Sequence, residues 1–174
     1  MRGYFAIGVE GISKAMNLGA IMRTGHAFGA SFVFTVNAAH HLREINRADT
    51  SRTLNHVPYY DWETLDDMAL PKGCQLVGVE LTDDAIDLPT FKHPKAAAYV
   101  LGRERGSLSP EMQERCSHIV KIPTKFCVNV SVAGALTLYD RTICMGGYPK
   151  RPIMPGGPQI GEPHTWGPPK QRRA

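Results

Sequence analysis

The stretch Ala96-Ala-Ala-Tyr-Val-Leu101-Gly102-Arg-Glu104-Arg-Gly106-Ser-Leu-Ser109-Pro110-Glu111 runs from apolar residues, through a turn bracketed by two glycines, into a helix start. An apolar run without alternation is the pattern of a strand buried on both faces. Ser109 is a capping residue, and Pro110 suits a first helical turn because its missing N–H would have had no partner there. The same grammar continues outward in both directions. Tyr4–Val9 reads as a strand. Asn17 caps a helix running to about Phe28, which Gly29 closes. Phe32–Val36 is a second strand, and Asp61–Leu70 a helix stopped by Pro71-Lys-Gly73. Gln75–Leu81, Ala96–Leu101 and His118–Ile122 are three further strands. A last helix covers Ser131–Met145, with Val132, Ala135, Leu136, Tyr139 and Ile143 on one face. Strands alternating with helices predict an α/β fold: a mostly parallel sheet flanked by helices. Such sheets bind ligands beyond the carboxyl ends of their strands. Gly102-Arg-Glu-Arg-Gly106 and the segment after Ile122 both fall there.

The chain of 174 residues fits one domain over residues 1–148, followed by a distinct segment, 149–174. That segment holds 7 Pro and 4 Gly, and carries Lys150, Arg151, Lys170, Arg172 and Arg173 against Glu162 alone. It therefore holds the whole +4 net charge, and residues 1–148 sum to zero. So little apolar surface does not offset ordering entropy, so an extended or disordered segment is expected. It reads either as a solvated end or as a basic arm that touches nucleic-acid phosphates. No window is apolar enough to span a bilayer, and Met1–Glu10 is too short and too soon acidic for a signal peptide. A cytoplasmic location is the expectation. Cys74, Cys116, Cys127 and Cys144 lack a Cys-x-x-Cys spacing and read as reduced thiols in or near the core. The seven histidines show no metal-ligand spacing, so no metal is expected.

Three motifs carry the chemistry. Asn17-x-Gly19-x-x-x-Arg23 is followed by Ala27-Phe28-Gly29; Gly102-x-Glu104-x-Gly106-Ser-Leu-Ser109 follows the fourth strand; Ile122-Pro123 precedes Asn129-Val-Ser131-Val-Ala133. In this order they resemble the SpoU family of RNA 2'-O-methyltransferases, within the SPOUT superfamily. The resemblance covers about residues 4–145 and implies a trefoil knot in the C-terminal part of the domain, S-adenosyl-L-methionine as cofactor, and a homodimer with cofactor sites near the interface. It implies Arg23, Asn17, Glu104 and Asn129 as catalytic residues. Leu81, Gly102, Ile122, Val128 and Ala133 would hold the cofactor. Arg23 is either a base or a clamp on phosphate and hydroxyl, since a guanidinium has no acceptor while protonated. The third motif departs from the family: Thr124–Asn129 is about three residues short, and Cys127 stands where Ser is usual.

Arg43 and Arg47 would share a helix face in a basic segment that also holds His41 and Arg52, which reads either as an RNA contact or as a solvated face; Arg103 and Arg105 are further candidate RNA contacts, or paired surface charge. The implied activity is methyl transfer to a ribose 2'-hydroxyl of tRNA or rRNA, with tRNA favoured because the chain has no room for a separate RNA-binding domain. The alternatives are methylation of a base nitrogen, and a non-catalytic RNA- or ribosome-binding module that kept the fold.

Overall fold

A computed structural model describes residues 3–39, 56–103, 106–146 and 148. Glu104, Arg105, Arg43, Arg47 and the 149–174 segment lie outside the described residues. Seven strands form one sheet: β1 (Tyr4–Glu10), β2 (Phe32–Val36), β3 (Tyr59–Trp62), β4 (Gln75–Val79), β5 (Ile86–Asp87), β6 (Ala96–Leu101) and β7 (His118–Lys121). Their order is β3-β2-β1-β6-β4-β7-β5, and every pairing among the described residues is parallel. The helices among the described residues are α1 (Ala15–Phe28), α2 (Pro110–Arg115) and α3 (Val130–Met145), with a 3-10 turn at Leu88–Thr90. No helix of the described residues is long and apolar enough to cross a membrane.

The unbroken apolar strands are buried on both faces. Phe5, Ile7, Val9, Val77, Tyr99 and Leu101 pack against Leu18, Ile21 and Met22 of α1 and Leu138 of α3. Their neighbours Ala6, Ala98 and Val100 face the other way, with Phe34, Leu76, Leu108 and Met112 of α2. Both long helices close tightly on Ile7. A Cβ at Gly25 of α1 would lie 3.2 Å from its Cγ2, and one at Gly134 of α3 would lie 2.9 Å from its Cδ1.

Several boundaries differ from the sequence expectation. Asn17 is not the cap of α1. The helix begins at Ala15, Lys14 holds the cap position without a side-chain bond, and Asn17 sits inside the first turn. The segment 61–70 is not a helix. Tyr59-Tyr60-Asp61-Trp62 alternates in the manner of a strand and pairs with β2, from Val33↔Tyr59 to Val36↔Trp62. Downstream, Asp67 Oδ2 accepts from the Thr64 amide (3.0 Å) and hydroxyl (2.6 Å), which closes a local turn. β4 stops at Val79 and β7 at Lys121, one or two residues earlier than expected, and the short β5 escaped prediction. α3 starts at Val130, with Asn129 as cap. Its stripe of Val132, Leu136 and Tyr139 faces outward, 38–50% exposed, while Gly134, Thr137, Leu138 and Arg141 are buried. Cys127 and Cys144 are exposed rather than in the core; Cys74 and Cys116 are half-buried, and all four are free thiols.

A buried polar chain ties the far end of α3 to the sheet. Arg141, 2% exposed, donates to the carbonyls of Pro94 (2.7 Å) and Lys95 (2.9 Å) and to the Tyr99 hydroxyl (3.0 Å). His93 Nδ1 lies 2.6 Å from the same hydroxyl, and its Nε2 lies 2.9 Å from Asp140 Oδ2. One proton arrangement satisfies the chain: Tyr99 O–H donates to Nδ1, and Nε2–H donates to Asp140. His93, Asp140 and Cys144 also bring their donor atoms within 4.8 Å of one another. A metal on Nε2 would move the imidazole proton to Nδ1 and leave the Tyr99 proton without an acceptor, so the network accounts for these residues without an ion.

Candidate active site

At the carboxyl edge of the sheet the ends of β4, β6 and β7 and the start of α1 and α3 enclose a cleft of about 250 Å³. All five residues expected to hold the cofactor line it: Leu81 after β4, Gly102 after β6, Ile122 after β7, and Val128 and Ala133 around the start of α3. Asn17 and Asn129 line it as well. Asn129 caps α3, its Oδ1 accepting from the Ser131 amide (2.9 Å) and hydroxyl (2.6 Å). Its Nδ2 donates to Asn17 Oδ1 at 3.3 Å, joining the first and third motifs across 112 residues. The short loop of the third motif is internally bonded: Thr124 donates its amide to Ile122 O (2.7 Å) and its hydroxyl to Phe126 O (2.9 Å).

The wall formed by the second motif is held by two carboxylates that sequence reading missed. Glu80, at the end of β4, accepts from the amide of Leu81 through Oε1 (2.9 Å) and from the amide of Leu108 through Oε2 (2.7 Å). Glu10, at the end of β1, is buried and accepts the amide (2.8 Å) and hydroxyl (2.6 Å) of Ser109. Ser109 in turn caps α2 by accepting from the Met112 amide at 3.1 Å. Gly102 passes between these groups. A Cβ there would stand 2.9 Å from Glu80 Oε2 and 3.0 Å from Leu108 N. The glycine thus permits both the Glu80 bond and the open cleft beside it.

Arg103 lines the cleft at its exposed rim, its side chain lying against Gly11 and Gly106. Lys14 and Cys127 also line the cleft and were not assigned to it from sequence; Lys14 precedes the first motif, and a lone lysine there carries no pattern. Arg23 is exposed on α1 and is not among the residues lining the cleft. Six residues beyond Asn17, it lies about 240° around the helix and roughly 9 Å along it. The arrangement suits a compact ligand with an aromatic or aliphatic body between Leu81, Ile122 and Val128, polar ends meeting Lys14, Asn17 and Asn129, and close backbone approach at Gly102.

A seven-stranded parallel α/β domain with a glycine-walled cleft at its carboxyl edge is the architecture of a nucleotide- or cofactor-binding domain. The SpoU rRNA Methylase family profile matches residues 4–139, and the chain belongs to that family. It is 27% identical over 138 residues to the tRNA (guanosine(18)-2'-O)-methyltransferase of Escherichia coli K12, an alignment covering 76% of this chain and 60% of that protein. It is 28% identical over 151 residues to the 23S rRNA (guanosine-2'-O-)-methyltransferase of Neisseria meningitidis, covering 76% of this chain and 55% of the other. The chain thus spans little more than half the length of these curated relatives. Among solved structures, the AdoMet-bound rRNA methyltransferase from Sinorhizobium meliloti superposes with a TM-score of 0.73 at 21% identity, covering 83% of this chain and 58% of that one.

Proposed function

We propose that this chain transfers a methyl group from S-adenosyl-L-methionine to a ribose 2'-hydroxyl of RNA. The observation that carries the reading is the convergence on one cleft of the five residues expected at the cofactor, with Asn17 and Asn129 bonded to each other beside them. Bound there, S-adenosylmethionine supplies an electrophilic methyl group. The donor set fits it: apolar Leu81, Ile122 and Val128 for the adenine, the Gly102 wall for close backbone contact, and Lys14 near the amino-acid end. The residues of the chain act by placing the acceptor in line, a geometric contribution that can supply much of the rate. Glu104 belongs to the same motif as Gly102, and its role in orienting the acceptor is part of this proposal.

Arg23 does not line its own cleft, which supports a site completed by a second copy of the chain. The exposed Val132-Leu136-Tyr139 stripe of α3 is the surface for such a homodimer. Arg23 then serves the acceptor ribose and its phosphate as a clamp or as a base. Arg43, Arg47, Arg103 and Arg105 are the proposed RNA contacts, and a knotted C-terminal part of the domain and a cytoplasmic location belong to the same reading. tRNA is favoured over rRNA as the substrate.

Two measurements test it. Calorimetry with S-adenosylmethionine separates an enzyme from an inert RNA-binding module, which need not bind the cofactor. Nucleoside mass spectrometry of tRNA and rRNA from a deletion strain should then find one 2'-O-methyl nucleotide missing. A missing base-methylated nucleotide instead would change the acceptor, and no loss in either RNA would overturn the reading.

A further inference from the structure

The sheet face opposite α1 and α3 carries an aromatic surface. Tyr4 of β1, Phe32 of β2, and Tyr60 and Trp62 of the edge strand β3 run across three strands. Ring centroids lie 6.0 Å apart for Tyr4–Phe32, 5.5 Å for Phe32–Tyr60 and 5.9 Å for Tyr60–Trp62, the last pair being parallel within 8°. Phe32 is the buried floor, while Tyr4 is 42% and Tyr60 50% exposed. Neither phenol hydroxyl has a hydrogen-bond partner among the described residues.

The described ends of the β2–β3 connection lie on the side of α1, away from this face: Ala38 and Val57 pack into the core beneath α1, and His56 stacks on His26 of α1 at 4.9 Å. The stretch after β3 packs Leu65, Met68 and Leu70 beside Phe34, and leaves Tyr4 and Tyr60 open.

Two properties identify the occupant. The rim of the surface is acidic: Glu63, Asp66 and Asp67 follow Trp62 directly and are exposed, Asp66 being paired with Arg115. An acidic rim disfavours RNA, whose single-stranded sites combine aromatics with cations. The segment 149–174 has the complementary chemistry, with 7 Pro and a net charge of +4. Proline-rich polyproline II segments dock on exposed aromatic ridges because little ordering entropy remains to be lost. The helix that precedes the segment, α3, ends nearby. Arg141, four residues before the end of α3, holds the carbonyl of Lys95, and a Cβ on Gly3 would lie 3.1 Å from its Nη2; Tyr4 is the next residue. From that edge the surface extends about 10 Å, two strand spacings. Twenty-six residues in polyproline II reach about 80 Å.

We propose that the Tyr4–Phe32–Tyr60–Trp62 surface is the docking site of the chain's own Pro-rich segment 149–174, with its cations over Glu63, Asp66 and Asp67. The interaction is independent of cofactor and RNA, so its test does not share the fate of the methyltransferase reading.

The chain holds two tryptophans, Trp62 and Trp166, so Trp166→Phe leaves Trp62 as the sole reporter. A protease site inserted after Tyr148 lets the full chain fold intact and be cut afterwards. Trp62 should be shielded from acrylamide before cutting and more accessible after cutting and removal of the released peptide, with unchanged circular dichroism. Adding the synthetic 149–174 peptide, also with Phe at position 166, should restore the shielding saturably. Tyr60→Ala, at an exposed position, should abolish that restoration. Glu63→Lys should weaken peptide binding about five-fold, the value of one exposed charge pair of about 1 kcal/mol. Identical quenching before and after cutting would overturn the proposal. Shielding of Trp62 that appears only when RNA is added would also overturn it and make the surface an RNA contact.

Discussion

Gly102→Ala probes the cleft wall at its tightest point. The new methyl would stand 2.9 Å from Glu80 Oε2 and 3.0 Å from Leu108 N, pressed against both atoms of a 2.7 Å hydrogen bond. Both groups are backbone-anchored or pinned: Glu80 also holds Leu81 N at 2.9 Å. The methyl is therefore accommodated by breaking the Glu80–Leu108 bond. A hydrogen bond to a charged group contributes about 1.5–3 kcal/mol. A loss of about 2 kcal/mol lowers the melting temperature by roughly 4–8 °C in a chain of this length. The same displacement moves the wall facing the proposed cofactor, and a further loss of about 1.4 kcal/mol there is tenfold in affinity. Scanning fluorimetry and calorimetry with S-adenosylmethionine read the two effects separately. In a Glu80→Ala background the same substitution should be milder in melting temperature, because the clashing carboxylate is gone. An unchanged melting temperature and cofactor affinity for Gly102→Ala would refute the wall geometry. A lowered melting temperature with wild-type affinity would refute the placement of the cofactor.

Arg23→Ala should nearly abolish methyl transfer while leaving cofactor affinity within a few fold, since Arg23 does not line the cleft; wild-type turnover would remove it from the mechanism. Asn129→Ala removes the α3 cap and the bond to Asn17, lowering stability by about 0.5–2 kcal/mol together with cofactor affinity; chemical denaturation and calorimetry check both. Leu136→Glu, in the exposed α3 stripe, should give a monomer by light scattering with an intact circular dichroism spectrum, and a variant that stays dimeric excludes that surface. Burial holds the His93 imidazole below its ordinary value of 6.5, against the opposing hydrogen bond and charge of Asp140. The unfolded chain therefore takes up that proton first on acidification. The stabilisation is present above about pH 6.5 and is lost as pH falls through the folded-state value. Melting curves from about pH 7.5 to about pH 5.5 should fall more steeply for wild type than for His93→Asn, and parallel curves would contradict the assignment.

The sequence by itself determined the parallel α/β class and the edge of the sheet on which the cleft lies. Both follow from local signals: unbroken apolar runs such as Ala96–Leu101, the Ser109-Pro110 helix start, and glycines at the strand exits. The five cleft residues were also named from the sequence, Gly102, Ile122, Val128 and Ala133 through the second and third motifs and Leu81 at a strand exit outside them. Tertiary structure decided the rest. Tyr59–Trp62 is a strand because β2 offers it a ladder, which its neighbours in sequence do not reveal. Asn17 is a cleft residue rather than a cap because its partner, Asn129, arrives from 112 positions away. Glu80 and Glu10 look like solvated carboxylates in the chain, and only folding brings the Leu108 and Ser109 amides to them. The apolar stripe of α3 reads as a core face, yet the helix buries its small and hydrogen-bonded side instead. Gly134 permits a close approach to Ile7, and Arg141 donates through Nη1 and Nη2 to Pro94, Lys95 and Tyr99 at the start of β6, so Val132, Leu136 and Tyr139 are left outward. Periodicity reports which side of a helix is apolar; which side meets the sheet depends on steric fit and on partners that are distant in the chain.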